Sequence, residues 1–152
     1  MDTIKIKGRI DFKITHADGC VEEWSVDNLI TSAGKAELAN LAGNVSTPTA
    51  FTYLAVGTSS TAVTVGQTAL GGEISTNGLS RASATVSRTT TTVTNDTLQL
   101  TKTFSVTGSS TVEEIGVFNA SSSGTMLGRA LTTSRSLING DTFACTYKII
   151  FA

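Results

Sequence analysis

Most of this chain alternates apolar and polar residues one by one, in segments of strand length separated by glycine, asparagine and serine. A period of two puts every second side chain on the same side of an extended backbone, so such a segment buries one face only by joining a sheet. Ile4, Ile6, Ile10, Phe12 and Ile14 set the pattern, Asp18-Gly19 is a hairpin turn signal, and Val21 to Val26, carrying Trp24, is the return strand. Phe51 to Gly57 is an apolar run of strand length that follows the only proline and opens the main body. Beyond it, Arg81 to Val93, Leu98 to Val106, Val112 to Phe118, Thr125 to Leu131 and Phe143 to Phe151 again read as strands.

One stretch breaks this rhythm. From Asn28 to Gly43 the apolar residues Ile30, Ala33, Leu38, Leu41 and Ala42 recur near one helical face, Thr31 or Ser32 can cap the start, and Gly43 can close the end. Gly34 is the discordant residue, since glycine inside a helix costs about 1 kcal/mol relative to alanine. With one helix at about 31–42 and no strand-helix-strand repetition, the expected fold is mainly β. It is an antiparallel β-sandwich or jelly roll with an N-terminal β-hairpin and one short α-helix. Residues 1–27 are expected to be a hairpin arm and 28–152 the sandwich body, together one compact domain. The run from Gly57 to Gly78 reads as a long surface loop pegged to the core by Leu70 and Ile74.

Composition narrows the function. Only 15% of the 152 residues are charged, against a usual ~25%, and serine and threonine take the polar positions. Eleven Lys+Arg against twelve Asp+Glu leave a formal net charge of -1, with no basic cluster to attract a polyanion, so no nucleic acid is expected as partner. No run reaches transmembrane length and the first residues lack the apolar core of a signal peptide, so the expectation is a protein assembled in a cytoplasm without a membrane partner. Cys20 and Cys145 are expected as free, buried thiols in such a compartment.

The candidate chemistry is sparse. His16 is the only histidine, sits at a turn and has no Cys/His companion at ligand spacing, so neither a metal nor a cofactor is expected. The glycines after Val56 lack the Gly-Lys-Ser/Thr ending of a phosphate loop. Glu22-Glu23 and Glu113-Glu114 are neighbours on strands, so each pair points to opposite faces, and solvated or edge-guarding charges are the expected role. Lys102 falls on the apolar side of its strand, which implies a sheet edge or a shift of register there. No catalytic residue is assigned, and an enzyme is not expected.

The order of five short motifs is informative. Asn28-Leu-Ile-Thr-Ser-Ala-Gly34, Tyr53-Leu-Ala-Val-Gly-Thr58, Thr68-Ala-Leu-Gly-Gly-Glu73 followed by Arg81, Glu114-Ile-Gly-Val-Phe-Asn119 and Met126-Leu-Gly-Arg-Ala130 resemble small virion structural proteins of tailed bacteriophages. The resemblance implies a β-sandwich or jelly-roll module used in particle assembly, as a capsid cement (decoration) protein or in tail fibres. A chain of this size without heptads or shaft repeats favours the decoration protein, placed on the outer capsid surface and stabilising the head. Its expected partners are the major capsid protein and itself, as homotrimer or homodimer. The hairpin residues Ile4, Ile6, Ile10, Phe12 and Trp24 are the candidate oligomer or capsid contacts, on an arm removable without unfolding the body. The alternative is a tail-fibre or baseplate module that binds host surface or glycan.

Overall fold

The computed structural model describes residues 1–152. Its elements run β1 (Ile6–Thr15), β2 (Val21–Ile30), α1 (Ser32–Gly43), β3 (Tyr53–Gly57), β4 (Ala82–Ser83), β5 (Thr85–Thr89), β6 (Thr97–Ser105), β7 (Ser110–Phe118), β8 (Met126–Leu137) and β9 (Thr142–Phe151). The strands hydrogen-bond in the order β4-β3-β7-β8-β2-β1-β9-β6-β5, and every pairing is antiparallel. The two edges of this sheet, β4 and β5, are separated only by Ala84, whose N–H donates to the Thr52 carbonyl. One short piece of chain thus pairs with β3 on one side and β6 on the other, and the sheet nearly closes on itself, as a flattened barrel. The mainly β, antiparallel expectation holds; the single strand expected from Arg81 to Val93 is divided because its pairing partner changes at Ala84.

The N-terminal hairpin is not an arm. β1 pairs with β2 from Gly8 to Thr15 and with β9 along its whole length, from Ile6↔Phe151 to Thr15↔Thr142. Its alternation sends Ile10, Phe12 and Ile14 into the interior at 0%, 2% and 0% exposure. A strand with both edges paired and one face buried is a central strand, and residues 1–27 cannot be detached from 28–152 without opening the core.

That core comprises 22 buried residues drawn from most of the strands, Ile74 and Leu79 from the loop after β3 among them. At ~1.5–3 kcal/mol for each large apolar side chain fully buried, it dominates the fold's stability. Trp24, Phe12, Phe143 and Phe104 stack in sequence across β2, β1, β9 and β6, with centroid separations of 5.0, 5.5 and 6.5 Å. Lys102 lies beyond the last β5 pairing, Thr85↔Thr101, so it sits where the sheet has an open edge and the register is unshifted.

α1 follows β2 directly and crosses β8. Thr31 is its N-cap: its hydroxyl oxygen accepts from Gly34 N–H at 2.8 Å and donates to the Met126 carbonyl at 2.6 Å. Gly34 is required by this crossing, because a Cβ there would lie 2.4 Å from the Leu127 carbonyl oxygen. The helix closes at Asn44, in the left-handed region at φ 49°, one residue past the expected Gly43. At 12 residues it is too short to cross a membrane. Finally, the chain ends meet: Lys5 and Ala152 exchange backbone N–H···O=C bonds beside β1 and β9.

Candidate functional site

β7 carries Ile115 and Val117 toward the barrel interior, so Glu114, Gly116 and Phe118 face outward. That outward face is covered. Residues 58–81 fold back over it: Thr58 N–H donates to the Gly72 carbonyl, Ile74 N–H to the Val56 carbonyl, and Ser32 N–H to the Val65 carbonyl. Leu70 from this cover joins Phe118, Met126 and Ala55 in a second, smaller apolar cluster outside the barrel. Gly116 makes room for it, since a Cβ there would lie 2.9 Å from Leu70 Cδ2. The pegging role expected of Leu70 and Ile74 is observed, each at 8% exposure.

The cover is locked by a buried ion pair, one member of which, Glu114, was expected to be a solvated or edge-guarding charge. Glu114 and Arg129 are both fully buried, with Arg129 Nε donating to Glu114 Oε2 at 2.6 Å. Glu114 also accepts from the N–H groups of Ser59, Gly71 and Gly72 at 3.2, 3.1 and 2.7 Å. Arg129 donates to the Thr61 carbonyl at 2.8 Å, to Gln67 Oε1 at 3.1 Å and to the Ser59 carbonyl at 3.4 Å. Two opposite charges in a low-dielectric layer survive only with their remaining donors and acceptors filled, and here the loop backbone fills them. The edge-guarding role expected for Glu114 is therefore corrected: a loop remote in sequence covers its face.

A second ion pair holds the other end of the cover. Arg81 makes two hydrogen bonds to Glu73, at 2.8 and 2.6 Å, while its guanidinium lies 3.6 Å over the Phe118 ring. It also donates to the carbonyls of Ala120 and Ser123 at 3.1 and 2.8 Å, tying the β7–β8 turn to the cover.

At the opposite end of the hairpin, His16 stands between two carboxylates. Its Nδ1 lies 3.1 Å from Asp141 Oδ2 and its Nε2 lies 2.9 Å from Glu22 Oε2. The hydrogen bond with Glu22 raises the imidazole pKa above 6.5, against some desolvation, and Asp141 adds to the rise. Burial alone would raise the Asp141 carboxyl, but the N–H groups of Ile138 and Ala17 and the His16 ring outweigh it and hold it below 3.8. Both ring nitrogens are engaged, so the imidazole has no lone pair free to activate a hydroxyl. No group of three or more His, Cys, Asp or Glu side chains is arranged to hold a metal ion.

The five sequence-predicted contact residues do not form one surface. Ile4 is 77% exposed and Ile6 is half-buried near the chain ends, whereas Ile10 and Phe12 are core residues closed to any neighbour. Trp24 is half-buried, with Nε1 donating to Thr132 Oγ1 at 2.7 Å and the Arg135 guanidinium 4.2 Å over its ring. It fills the gap where β2 and β8 part company, since these strands pair only at Leu29↔Arg129 and Ile30↔Gly128. Cys145 is buried, but Cys20 is exposed, which corrects the expectation of two buried thiols.

The uncovered face of the barrel belongs to β2, β1 and β9. Asp11 on this face bonds Arg9, Ser25 and Lys148 at 3.1, 2.6 and 3.2 Å, and a shallow depression of about 530 Å³ opens beside it among Lys13, Glu23, Ser25 and Thr146. One surface is thus a fixed loop layer, and the other is a polar sheet face. A family model described as podophage GP4 fiber I protein gp80 matches residues 30–150. No curated protein matches the chain at significant similarity.

Proposed function

Because the chain belongs to the Gp80 family, the podophage GP4 fiber I protein gp80 group, we propose that this bacteriophage virion structural protein serves as a structural module of a phage fibre. The observation that carries this reading is the family match, which spans β3 to β8, α1, the locked loop and most of β9. The geometry is consistent with a role played by contact. The two buried ions spend their hydrogen bonds on the loop backbone, and the lone histidine is held between carboxylates, so we assign no catalytic step and no cofactor. Its partners in this proposal are further copies of itself, as homotrimer or homodimer, and neighbouring virion proteins. The free edge of β5, where Val86 is 40% exposed, is a place where another strand can add.

Decoration of the outer capsid surface through the major capsid protein is the competing position in the virion. Gold labelling of an epitope-tagged chain on intact particles separates the two. Label at the fibres is expected; label spread over the head shell would overturn the fibre reading in favour of the capsid one.

A further inference from the structure

A neutral imidazole carries one N–H and one bare lone pair, so it makes one good hydrogen bond to a carboxylate and points its lone pair at the other. His16 has a carboxylate oxygen within hydrogen-bond distance of each ring nitrogen, at 3.1 and 2.9 Å. Only the protonated ring, with two donors, satisfies both contacts. The two carboxylates come from different parts of the fold: Glu22 is the second residue of β2, and Asp141 sits in the turn between β8 and β9. Asp141 is buried and also accepts from Ala17 N–H at 3.0 Å and Ile138 N–H at 2.9 Å, while Arg135 of β8 donates to the other oxygen of Glu22 at 3.2 Å.

We propose that His16, Glu22 and Asp141 form a proton-operated clasp that fastens the β1–β2 turn to the β8–β9 turn, closed when the imidazole is charged and released when it is neutral.

The charged and titratable groups acting on the ring are Glu22 from β2, Arg135 from β8 through Glu22, Asp141 from the β8–β9 turn, and Asp18 from its own turn. Three are carboxylates, and the single cation, Arg135, is already taken up by Glu22 and the Trp24 ring. The balance of charge around the ring therefore favours imidazolium. The folded-state pKa of His16 lies above its unfolded value of 6.5, so the clasp's contribution is complete below pH 6.5 and is lost as pH rises through the folded pKa. What is released is the tip of the hairpin, flanked by Val21 at 52% and Ile138 at 55% exposure. Asp141 keeps its bond to Ile138 N–H within its own turn, so that turn stays formed.

His16 is the only histidine, so its ring gives a single pair of resonances in a proton NMR titration of the intact chain. The expected midpoint lies above that of the same ring in the urea-unfolded chain, and Glu22→Gln shifts it downward. Amide exchange at Ala17, corrected for the intrinsic effect of pH, should lose protection as pH rises through that midpoint, and His16→Gln should remove this dependence while the protein stays folded. A folded-state midpoint at or below the unfolded one, or Ala17 protection that is independent of pH in the wild type, overturns the proposal.

Discussion

Replacing Arg129 by methionine tests whether the buried ion pair holds the loop cover. The change keeps most of the side-chain volume but removes the donors to Glu114, Thr61, Gln67 and Ser59 at 2.6, 2.8, 3.1 and 3.4 Å. Glu114 stays fully buried with three backbone N–H donors and no countercharge. Stranding one member of a buried pair costs about 3–5 kcal/mol. Against a total stability of roughly 5–15 kcal/mol for a domain, that is a large fraction. For a chain of this length each kcal/mol moves Tm by about 2–4 °C, so a fall on the order of 10 °C is expected. Urea unfolding followed by the fluorescence of Trp24, the only tryptophan, gives the free energy. The double replacement Glu114→Gln with Arg129→Met removes both charges and should cost clearly less than the sum of the two single changes. The single variants should also be cut faster by protease between residues 58 and 72. An Arg129→Met cost below about 1 kcal/mol, or strict additivity in the double variant, would refute the reasoning.

Gly34→Ala should destabilise by about 1–3 kcal/mol, because its Cβ meets the Leu127 backbone, although helix propensity alone favours alanine by about 1 kcal/mol; thermal melting settles the sign. Deleting residues 1–27 removes β1 and most of β2 from between β8 and β9, and circular dichroism should show no cooperative unfolding transition; a sharp melt would restore the hairpin to the status of an arm. Arg81→Lys loses the two-pronged bond to Glu73 and should cost about 2 kcal/mol, with new protease sensitivity at residues 119–124.

Local pattern made much of the fold legible. The Asp18-Gly19 turn and the alternation on either side of it gave the β1–β2 hairpin, and Thr31 with the apolar spacing after it gave α1. Alternation reports which residues share a face, but it is silent on what lies against that face. The alternation puts Glu114 on one face with Gly116 and Phe118, while a register shift after Val112 turns that residue into the core instead; the burial of Glu114 depends on Ser59, Gly71 and Gly72, far away in the chain. A usable signal was present: Glu114 opens the apolar run to Phe118 and Arg129 interrupts the apolar run from Met126 to Leu131, opposite charges on two adjacent antiparallel strands. The change of partner at Ala84 left no trace either, because the period of two runs through it unbroken. The exposure of Ile4 and the burial of Ile10 and Phe12 were likewise undetermined by spacing. All follow the same parity, and only the pairing of β1 with β9 decides where the interior begins.

The meeting of Lys5 with Ala152 has a mechanical consequence. β1 and β9 are antiparallel neighbours, and the two chain ends lie side by side at the start of their ladder. A load pulling Met1 away from Ala152 therefore acts across the ladder, and its hydrogen bonds yield one pair after another from Lys5 inward, as a zipper opens. Tension entering through the tip of the hairpin and leaving through Ala152 would instead pull β1 and β9 past one another and strain the whole row of bonds together. The same barrel is compliant to one direction of force and stiff to the other, so the point where a neighbouring protein grips it decides how much load it bears.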